Sequence, residues 1–371
     1  MSKGVSLLSV APMMEYTHRH YGYLLRRLSK KTKLYGEMTI DRAIAANVRL
    51  NQPSKVRRFL ERNSNEKPVA VQLGATRASL AFNYDEINLN VGCPSEKASK
   101  SSYGCRLMKD PEVVCELTRT MIKEVSEWSA STNQPAIPVT VKCRIGVDDL
   151  DSYEHLTGFI EKIHNGSLYT PPDGSSQPAQ VEHFIIHARK GLLGLNTKLN
   201  RSVPPLDYEF YYRLLRDFPQ LKFTLNGGIS DLDQVKEHLG RGAHGVMIGR
   251  AACNNIWQFA HADSIIFGAT DPPPIGKLDL LMDYLQYALE REKDGDKKCT
   301  LLQPLSKTFA GRLTGQYLDR WRKMKSMQEV CDDVQANLGS VEECLTNRHP
   351  FYMMRHRLAQ SKVEESIFDI S

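Results

Sequence analysis

Eight short apolar segments, many of them rich in β-branched residues, recur along the first 265 or so residues, and most are separated by segments of helical character. In order they read VSLLSVAP, KLYGEM, KPVAVQL, YDEINLNV, IPVTVK, EHFIIHA, LKFTLNGG and HGVMIGR. Eight strands that alternate with helices predict an α/β fold, a (β/α)8 TIM barrel. A doubly wound sheet is the alternative, but it usually has fewer strands and a glycine-rich first turn, unlike SVAPMMEYT.

The boundaries of the predicted elements follow from local signals. DPEVVCELTRTMIKEV begins with Asp110 as N-cap and Pro111 in the first turn, and SDLDQVKEHL begins with Ser230 as N-cap. The proline-rich stretch GATDPPPIGK ends the barrel, and the chain beyond it is helical and basic. We therefore divide the chain into a barrel domain at 1–268, a linker at 269–276 and a smaller C-terminal helical domain at 277–371.

Composition sets the class of protein and its compartment. Of the 371 residues, 41% are hydrophobic, and no apolar run approaches the roughly 18 residues of a membrane span. The N-terminal segment MSKGVSLLSVAPMM is predicted to contain the first strand rather than a signal peptide. Eight cysteines without CxxC pairs indicate a reducing compartment and no metal site. We expect a cytoplasmic monomer, with import into an organelle left open, and the net charge of +6 permits an anionic partner.

Hydrogen-bonding side chains follow most of the predicted strands, where a barrel places its chemistry. A single such residue is more often solvated or structural than catalytic. A polar group at nearly every strand end is harder to explain as surface, and it indicates a site. The residues are Met13 and Met14, Glu37, Gln72, Asn90, Lys142 and Arg144, His187 and Arg189, Asn226, and Gly249 with Arg250.

The last two strand ends predict a phosphate site. NGGIS contains Asn226, Gly227 and Gly228, and IGRAA contains Gly249 and Arg250. Glycine lets backbone N–H groups approach a phosphate closely, and barrels usually hold phosphate after strands seven and eight. For either turn alone, a tight turn is the simpler interpretation. Together they favour a phosphorylated ligand.

Flavin mononucleotide (FMN) suits the remaining strand-end residues. Gln72 is a bidentate amide suited to the pyrimidine edge of the flavin. Lys142 is a cation that would stabilise the reduced ring near its N1–C2 carbonyl. Met13 and Met14 are polarizable side chains able to lie under the ring.

Five stretches closely resemble the tRNA-dihydrouridine synthases. They are APMMEYTHRHY, EINLNVGCPSEKA, PVTVKCRIGVDD, HARKGLLGLNTKLNRSVPPLDYEFYYRLLRDFPQL, and NGGI with GVMIGRAA. The likeness is nearest to the branch acting on D-loop positions 20 and 20a. It extends from Ala11 to about Phe267 and more loosely over the helical tail. It implies an FMN-bearing barrel that reduces uridine in tRNA, NADPH that recharges the flavin, and a helical domain that helps to hold the tRNA.

The resemblance assigns the proton donor. Reducing the uracil C5=C6 bond needs a hydride at C6, which flavin N5 can give, and a proton at C5 from a general acid. The family's acid is the cysteine of a Gly-Cys-Pro motif, which corresponds to Cys93. Cys105 is displaced by one position from the second cysteine of relatives, so we assign it no catalytic role. Cys115, Cys143 and Cys253 are predicted to be packing residues.

The resemblance also indicates which other residues contact the flavin and which contact the tRNA. We expect the flavin to be bound by Pro12, Met13, Met14, Gln72, Lys142, His187, Asn226, Gly227, Gly228, Gly249 and Arg250. We expect the tRNA to be bound by Asn90, Arg144, Arg189, Arg201, Arg320 and Lys323. A loop salt bridge is an equal alternative for Arg201. By composition alone, a solvated helix face is the alternative for the basic tail.

Two rival functions remain open. One is an FMN enzyme for a free pyrimidine, of the dihydroorotate dehydrogenase type, which would need no basic tail. The other is an RNA-binding protein that has kept the fold and lost the chemistry. A flavin absorbance band would exclude the second, and activity on tRNA but not on free uridine or orotate would exclude the first.

One connection is shorter than a barrel normally allows. Only GATRASLAFNY, residues 74–84, separates the third and fourth strands. A parallel crossover needs about a dozen or more residues, normally with a helix. Eleven helical residues would span about 16 Å and leave nothing for the turns. The resemblance implies a full second barrel helix here, so a helix is missing near residues 78–83.

A deletion in the gene model or by splicing is the explanation that we favour for this gap. A barrel closed by a loop or one short helical turn is the alternative. Either way, we expect exposed apolar surface over strands three and four, beside Gln72 and Cys93. Such a chain should melt below a version with the helix restored and bind FMN less tightly.

Overall fold

A closed barrel of eight parallel strands forms the first part of the protein. The computed structural model describes residues 5–39, 50, 61–74, 83–95, 103–172, 174, 177–270, 275–310, 313 and 317–346. The strands are β1 (Leu8–Val10), β2 (Lys33–Thr39), β3 (Val69–Leu73), β4 (Glu86–Val91), β5 (Val139–Arg144), β6 (His183–His187), β7 (Lys222–Asn226) and β8 (Gly245–Ile248). Each pairs with the next in chain order, and β8 pairs with β1. All eight predicted segments contain a strand, so the predicted TIM barrel is confirmed.

The strands around β4 have an unusually polar interior face. All six residues of β4 are buried, and the polar Glu86, Asn88 and Asn90 alternate with apolar residues. Successive side chains point to opposite faces, so these three share one face. The register pairs Asn88 with Gln72 of β3 and with Thr140 of β5. The apolar residues of β4 belong to the main core that also includes the surrounding helices. The polar face therefore lies inside the barrel.

Helices pack around the barrel where the sequence shows an apolar stripe. They include α1 (Arg19–Leu28), α2 (Pro111–Thr132), α3 (Tyr153–Gly166), α4 (Tyr208–Asp217) and α5 (Leu232–Gly240). Asp110 caps α2 by accepting from the backbone N–H of Val113, as predicted. The prediction of Ser230 as N-cap of α5 is wrong by one residue. Asp231 accepts from the N–H of Gln234 instead, and the Ser230 hydroxyl donates to that carboxylate.

Beyond β8, the described residues are mainly helical. The helices are α6 (Arg250–Asn254), α7 (Ala262–Phe267), α8 (Lys277–Lys293), α9 (Lys298–Thr308), α10 (Leu318–Lys323), α11 (Met327–Ala336) and α12 (Leu338–Thr346). The helical tail is joined to the barrel through α1, where the Tyr23 hydroxyl donates to Asp283 at 2.8 Å. Its apolar side chains belong to the same core as those of the barrel. In the part of the chain that the structure describes, no helix is both long and apolar enough to cross a membrane.

The short connection between β3 and β4 lies largely outside the described residues, because 75–82 are not among them. The two strands are nevertheless adjacent and parallel. The expectation of exposed apolar surface over them is wrong, since every residue of both strands is buried. The 3-10 segment Gly104–Lys109 packs against β4 and covers part of it. The lower melting temperature expected for this chain was attributed to that exposed surface, so the structure gives no reason to expect it.

Candidate active site at the carboxyl end of the barrel

A cavity of about 700 Å³ opens at the carboxyl ends of the strands. It gathers most of the residues singled out in the sequence, from the ends of every strand except β2. Those that line it are Pro12, Met13, Met14, Gln72, Asn90, Cys93, Lys142, Arg144, His187, Arg201, Asn226, Gly227, Gly228, Gly249 and Arg250. Arg189, Arg320 and Lys323 are not among the described residues that line it.

The cavity has a strongly positive lining. Lys142, Arg144, Arg201 and Arg250 contribute to it, and the described lining residues include no Asp or Glu. Burial lowers the pKa of both Arg144 and Arg250, and repulsion by other arginines contributes to the lowering. Clustered cations of this kind are costly in a partly buried site unless an anion binds. The lining therefore suits a negatively charged ligand.

Lys142 lies at the centre of this charge. Its Nζ donates to Asn226 Oδ1 at 2.9 Å, and Asn226 Nδ2 donates in turn to the carbonyl of Met247 at 2.9 Å. Burial and then Arg144 lower the pKa of Lys142 to about 8. The side chain thus remains mostly protonated at neutral pH, in a fixed position.

His187 ends β6 beside this lysine. Burial, helped by Arg144, Lys142 and other nearby cations, holds its pKa well below the usual range. The imidazole is therefore neutral, and one ring nitrogen can donate while the other accepts. A Cβ on Gly227 would lie 2.7 Å from His187 Cδ2, so glycine is needed for this imidazole to fit.

The two glycine turns differ in what they require. Gly227 and Gly228 have positive φ values of 113° and 78°, and a Cβ on Gly228 would lie 2.5 Å from Leu206 Cδ1 and 2.6 Å from Tyr208 Oη. The protein itself therefore needs glycine there. A Cβ on Gly249 would meet only Ala11 Cβ, at 4.0 Å. Free space beside Gly249, at the edge of a cationic cavity, fits a ligand that approaches the backbone.

Cys93 is held by the end of β4. Asn90 Oδ1 accepts from the backbone N–H groups of Gly92 and Cys93, both at 3.0 Å. The Cys93 carbonyl accepts from the N–H of Cys105 at 2.8 Å, and its Sγ lies 3.4 Å from the hydroxyl oxygen of Ser95. These bonds fix a half-buried thiol at the cavity wall.

The other cysteine of this segment has a different environment. Cys105 lies in the 3-10 segment and is fully buried. Burial is the main cause that raises the pKa of its thiol to about 12. It is not among the described residues that line the cavity. Cys115 and Cys143 are buried in the main core, as predicted. Cys253 is buried but also lines the cavity, where its Sγ lies 3.8 Å from Met13 Sδ, so the prediction of a packing residue is incomplete there.

Gln72 is already engaged by its neighbours. Its Nε2 donates to Asn88 Oδ1 at 2.8 Å, and its Oε1 accepts from Asn90 Nδ2 at 3.1 Å. One N–H of the amide remains for a ligand. Its Oε1 also keeps a second lone pair, so the amide can still donate to and accept from a pyrimidine edge.

The three arginines expected to contact tRNA on the barrel are placed differently. Arg144 is buried and donates to the carbonyls of Gly92 and Lys190, at 2.8 and 2.9 Å. Arg189 donates to the carbonyl of Pro204, outside the cavity lining. Arg201 lines the cavity, and its buried Nε has no hydrogen-bond partner. A salt bridge of Arg201 is not found within the described part of the chain.

The two tail residues, Arg320 and Lys323, are not among the described residues that line the cavity. Arg320 pairs with Asp333 at 2.5 Å, and its guanidinium lies over the ring of Tyr317. Asp333 also accepts from Trp321 Nε1 at 2.8 Å. Arg320 thus helps to pack α10 against α11. Lys323 is exposed and can bind an anionic partner.

Some residues of the cavity were missed in the sequence. Met38 lines it in place of Glu37, which was expected from β2. The pairing of β2 with β3 shifts register between Tyr35 and Met38, and such a bulge changes which side chain faces inward. Tyr16 and Thr197 also line it, and as loop residues they gave no periodic signal.

Comparison with known proteins gives a consistent result. A family model described as dihydrouridine synthase (Dus) matches residues 9–339. The chain is 38% identical over 332 residues to the tRNA-dihydrouridine(20/20a) synthase of Synechocystis sp., which covers 87% of this chain and 89% of that relative. It is 40% identical over 295 residues to the proteins of the same name from Salmonella typhimurium and Escherichia coli strain K12. Those matches cover 76% of this chain and 80% and 76% of the two relatives.

Proposed function

Since the chain belongs to the dihydrouridine synthase family, a family of oxidoreductases, we propose that it reduces uridine to 5,6-dihydrouridine in the D-loop of tRNA, at positions 20 and 20a. The observation that carries the proposal is the cavity. It combines the half-buried thiol of Cys93 and the buried thiol of Cys253 with four cations, and its described lining includes no carboxylate. A thiol suits proton donation, and the cations suit a phosphorylated cofactor and a polyanionic substrate.

The residues present fit FMN, the cofactor that we propose. The free space beside Gly249 would accommodate a phosphate close to Arg250. The free N–H of Gln72 and the ammonium of Lys142 would bind polar atoms of the ring. Pro12, Met13 and Met14 would form an apolar wall beneath it. FMN, when bound, would supply the hydride to C6 of uracil, and NADPH would recharge it.

Cys93 would hold the proton for C5 of uracil. The thiol lies at the cavity wall, and the bonds from Gly92 and Cys93 to Asn90 keep its backbone in place. Asn90 thus acts on the substrate through Cys93. The buried Cys105 lacks access to the cavity and has a raised pKa. These differences support Cys93 as the general acid.

Lys142 and His187 would keep the cavity suited to a reduced, negatively charged ring. The lowered pKa of Lys142 makes its ammonium a stronger hydrogen-bond donor to the ring. His187 stays neutral and can donate one hydrogen bond without adding charge. Arg144 braces the turn after β4 through the Gly92 carbonyl.

The rest of the proposal concerns the substrate and the setting. Arg201 at the cavity and Lys323 on the tail would bind phosphates of tRNA, with Arg189 and Arg320 in supporting positions. We propose a monomer, since one chain supplies the described cavity. We propose the cytoplasm as its compartment, because its eight free cysteines suit a reducing environment.

The test uses purified protein, NADPH and an unmodified tRNA transcript, with dihydrouridine measured by mass spectrometry. We expect a yellow protein that modifies the transcript and leaves free uridine and orotate unchanged. Turnover of a free pyrimidine would favour the dihydroorotate dehydrogenase type. A colourless protein that binds tRNA without modifying it would favour an RNA-binding role.

A further inference from the structure

A continuous chain of hydrogen bonds leads from Cys93 to the interior of the barrel. The backbone N–H groups of Gly92 and Cys93 can only donate, so Asn90 must present its oxygen to them. Its Nδ2 must then point away, and it donates to Gln72 Oε1 at 3.1 Å. Asn90 can therefore hold this turn in only one orientation of its amide.

The same reasoning fixes every following link. Gln72 uses its oxygen for Asn90, so its Nε2 donates to Asn88 Oδ1 at 2.8 Å. Asn88 Nδ2 donates to Thr140 Oγ1 at 2.8 Å, which leaves the Thr140 hydroxyl proton for Glu86 Oε1 at 2.6 Å. All donors point in one direction, and each amide has one allowed orientation.

Glu86 ends the chain because it can only accept. It is 2% exposed, Lys33 forms an ion pair with its other oxygen, and the Tyr35 hydroxyl donates to Oε1 at 2.6 Å. Burial opposes the charge, but Lys33, His183 and the hydrogen bonds outweigh it and hold the pKa of Glu86 below its usual range. An ionised carboxylate at this end forces the orientation of Thr140, Asn88 and Gln72 in turn.

We propose that Glu86, Thr140 and Asn88 are positioning residues for Cys93, which set the orientation of the Gln72 and Asn90 amides and so hold the thiol in place. They are too deeply buried to touch a substrate, since Asn88 is 0% and Thr140 1% exposed. The reason for calling this placement functional rests on the proposed role of Cys93 as general acid. The chain of bonds itself does not depend on that role.

Thr140→Val and Tyr35→Phe provide a matched test. Each removes one buried hydroxyl that donates to the same oxygen of Glu86. Only Thr140→Val interrupts the chain, because it also leaves Asn88 Nδ2 without its acceptor. Thr140→Ser keeps the hydroxyl and should behave like the wild type. A purely structural role would affect the valine and phenylalanine variants alike.

The direct readout is alkylation of Cys93 by iodoacetamide, followed by mass spectrometry of its peptide in the purified holoprotein. The exposed Cys299 of α9 serves as an internal reference. We expect Thr140→Val to raise the Cys93 rate about fivefold relative to Cys299, the equivalent of losing one ordinary hydrogen bond that orders the turn. Tyr35→Phe and Thr140→Ser should stay near the wild-type rate.

A second readout measures flavin reduction by NADPH and dihydrouridine formation separately. Thr140→Val should slow dihydrouridine formation by pre-reduced enzyme about fivefold, while its flavin reduction by NADPH matches that of Tyr35→Phe. Equal Cys93 alkylation in the valine and phenylalanine variants would overturn the positioning role. Alkylation needs no tRNA, so a wild type that is inactive on tRNA would refute the proposed function without changing this result. If Thr140→Val does not fold, Asn88→Ala interrupts the same chain one link nearer to Cys93.

Discussion

Replacing Lys142 by methionine should stabilise the flavin-free protein, although it removes a residue proposed to be essential. The pKa of Lys142 is lowered from its ordinary value of 10.5 to about 8, first by burial and then by Arg144. The protonated side chain therefore costs the folded state on the order of 3 kcal/mol at pH 7. Methionine keeps most of the apolar stem and removes the charge.

The gain is reduced by the lost hydrogen bond to Asn226. That bond contributes about 1 kcal/mol, and the Asn226 oxygen loses its donor. We expect Lys142→Met to be about 2 kcal/mol more stable than the wild type at pH 7, which is the difference of the two contributions. Urea denaturation of both flavin-free proteins would measure it.

The advantage should depend on pH with a definite sign. Between about pH 8 and 10.5 the unfolded chain keeps a proton on Lys142 that the folded chain has released. The wild type therefore gains stability as the pH rises through this window, and the variant does not. The difference should shrink towards pH 10 and then change sign, because only the wild type keeps the bond to Asn226.

Lys33→Met is the matched control. Its ammonium pairs with the buried Glu86, so its removal leaves a carboxylate without its partner. This variant should be destabilised at pH 7, which is opposite in sign to Lys142→Met. Saturating FMN should then stabilise the wild type more than Lys142→Met, because only the wild type offers the ring a cation. A Lys142→Met protein that is less stable at pH 7, or whose advantage does not change with pH, would contradict the reasoning.

Three further variants address the remaining assignments. Cys93→Ala should retain flavin and NADPH oxidation but lose dihydrouridine formation by at least about 100-fold, and the reasoning fails if Cys105→Ala is the inactive variant instead. Gly249→Ala should lose flavin, because its Cβ would fill the free space in which we place the phosphate; normal flavin content would refute this phosphate site. Arg320→Ala combined with Lys323→Ala should weaken tRNA binding and reduce the slope of its salt dependence without changing flavin reduction by NADPH. An unchanged slope would favour the alternative, in which the basic tail is a solvated helix face.

The barrel could be predicted because its signals are local and repeated. Eight apolar segments gave eight strands, and the polar residues after them meet in one cavity because parallel strands end on the same face. The cap of α2 at Asp110 could also be read directly, since its proline neighbour is a strong signal.

The errors arose where the outcome depends on contacts between strands. The choice of Glu37 over Met38 failed because a bulge in β2 cannot be read from one sequence. The bonds of Gln72 to Asn88 and Asn90 could not be predicted either, because they depend on the register of β3 against β4. The alternation of Glu86, Asn88 and Asn90 in EINLNV was visible, yet only the closed barrel shows that this face is interior.

The most direct measurement is a map of dihydrouridine in tRNA from cells that lack the gene for this chain. The account predicts that dihydrouridine disappears from D-loop positions 20 and 20a, that the wild-type gene restores it, and that the Cys93→Ala gene does not. A map that is unchanged at both positions, or full restoration by the Cys93→Ala gene, would contradict it.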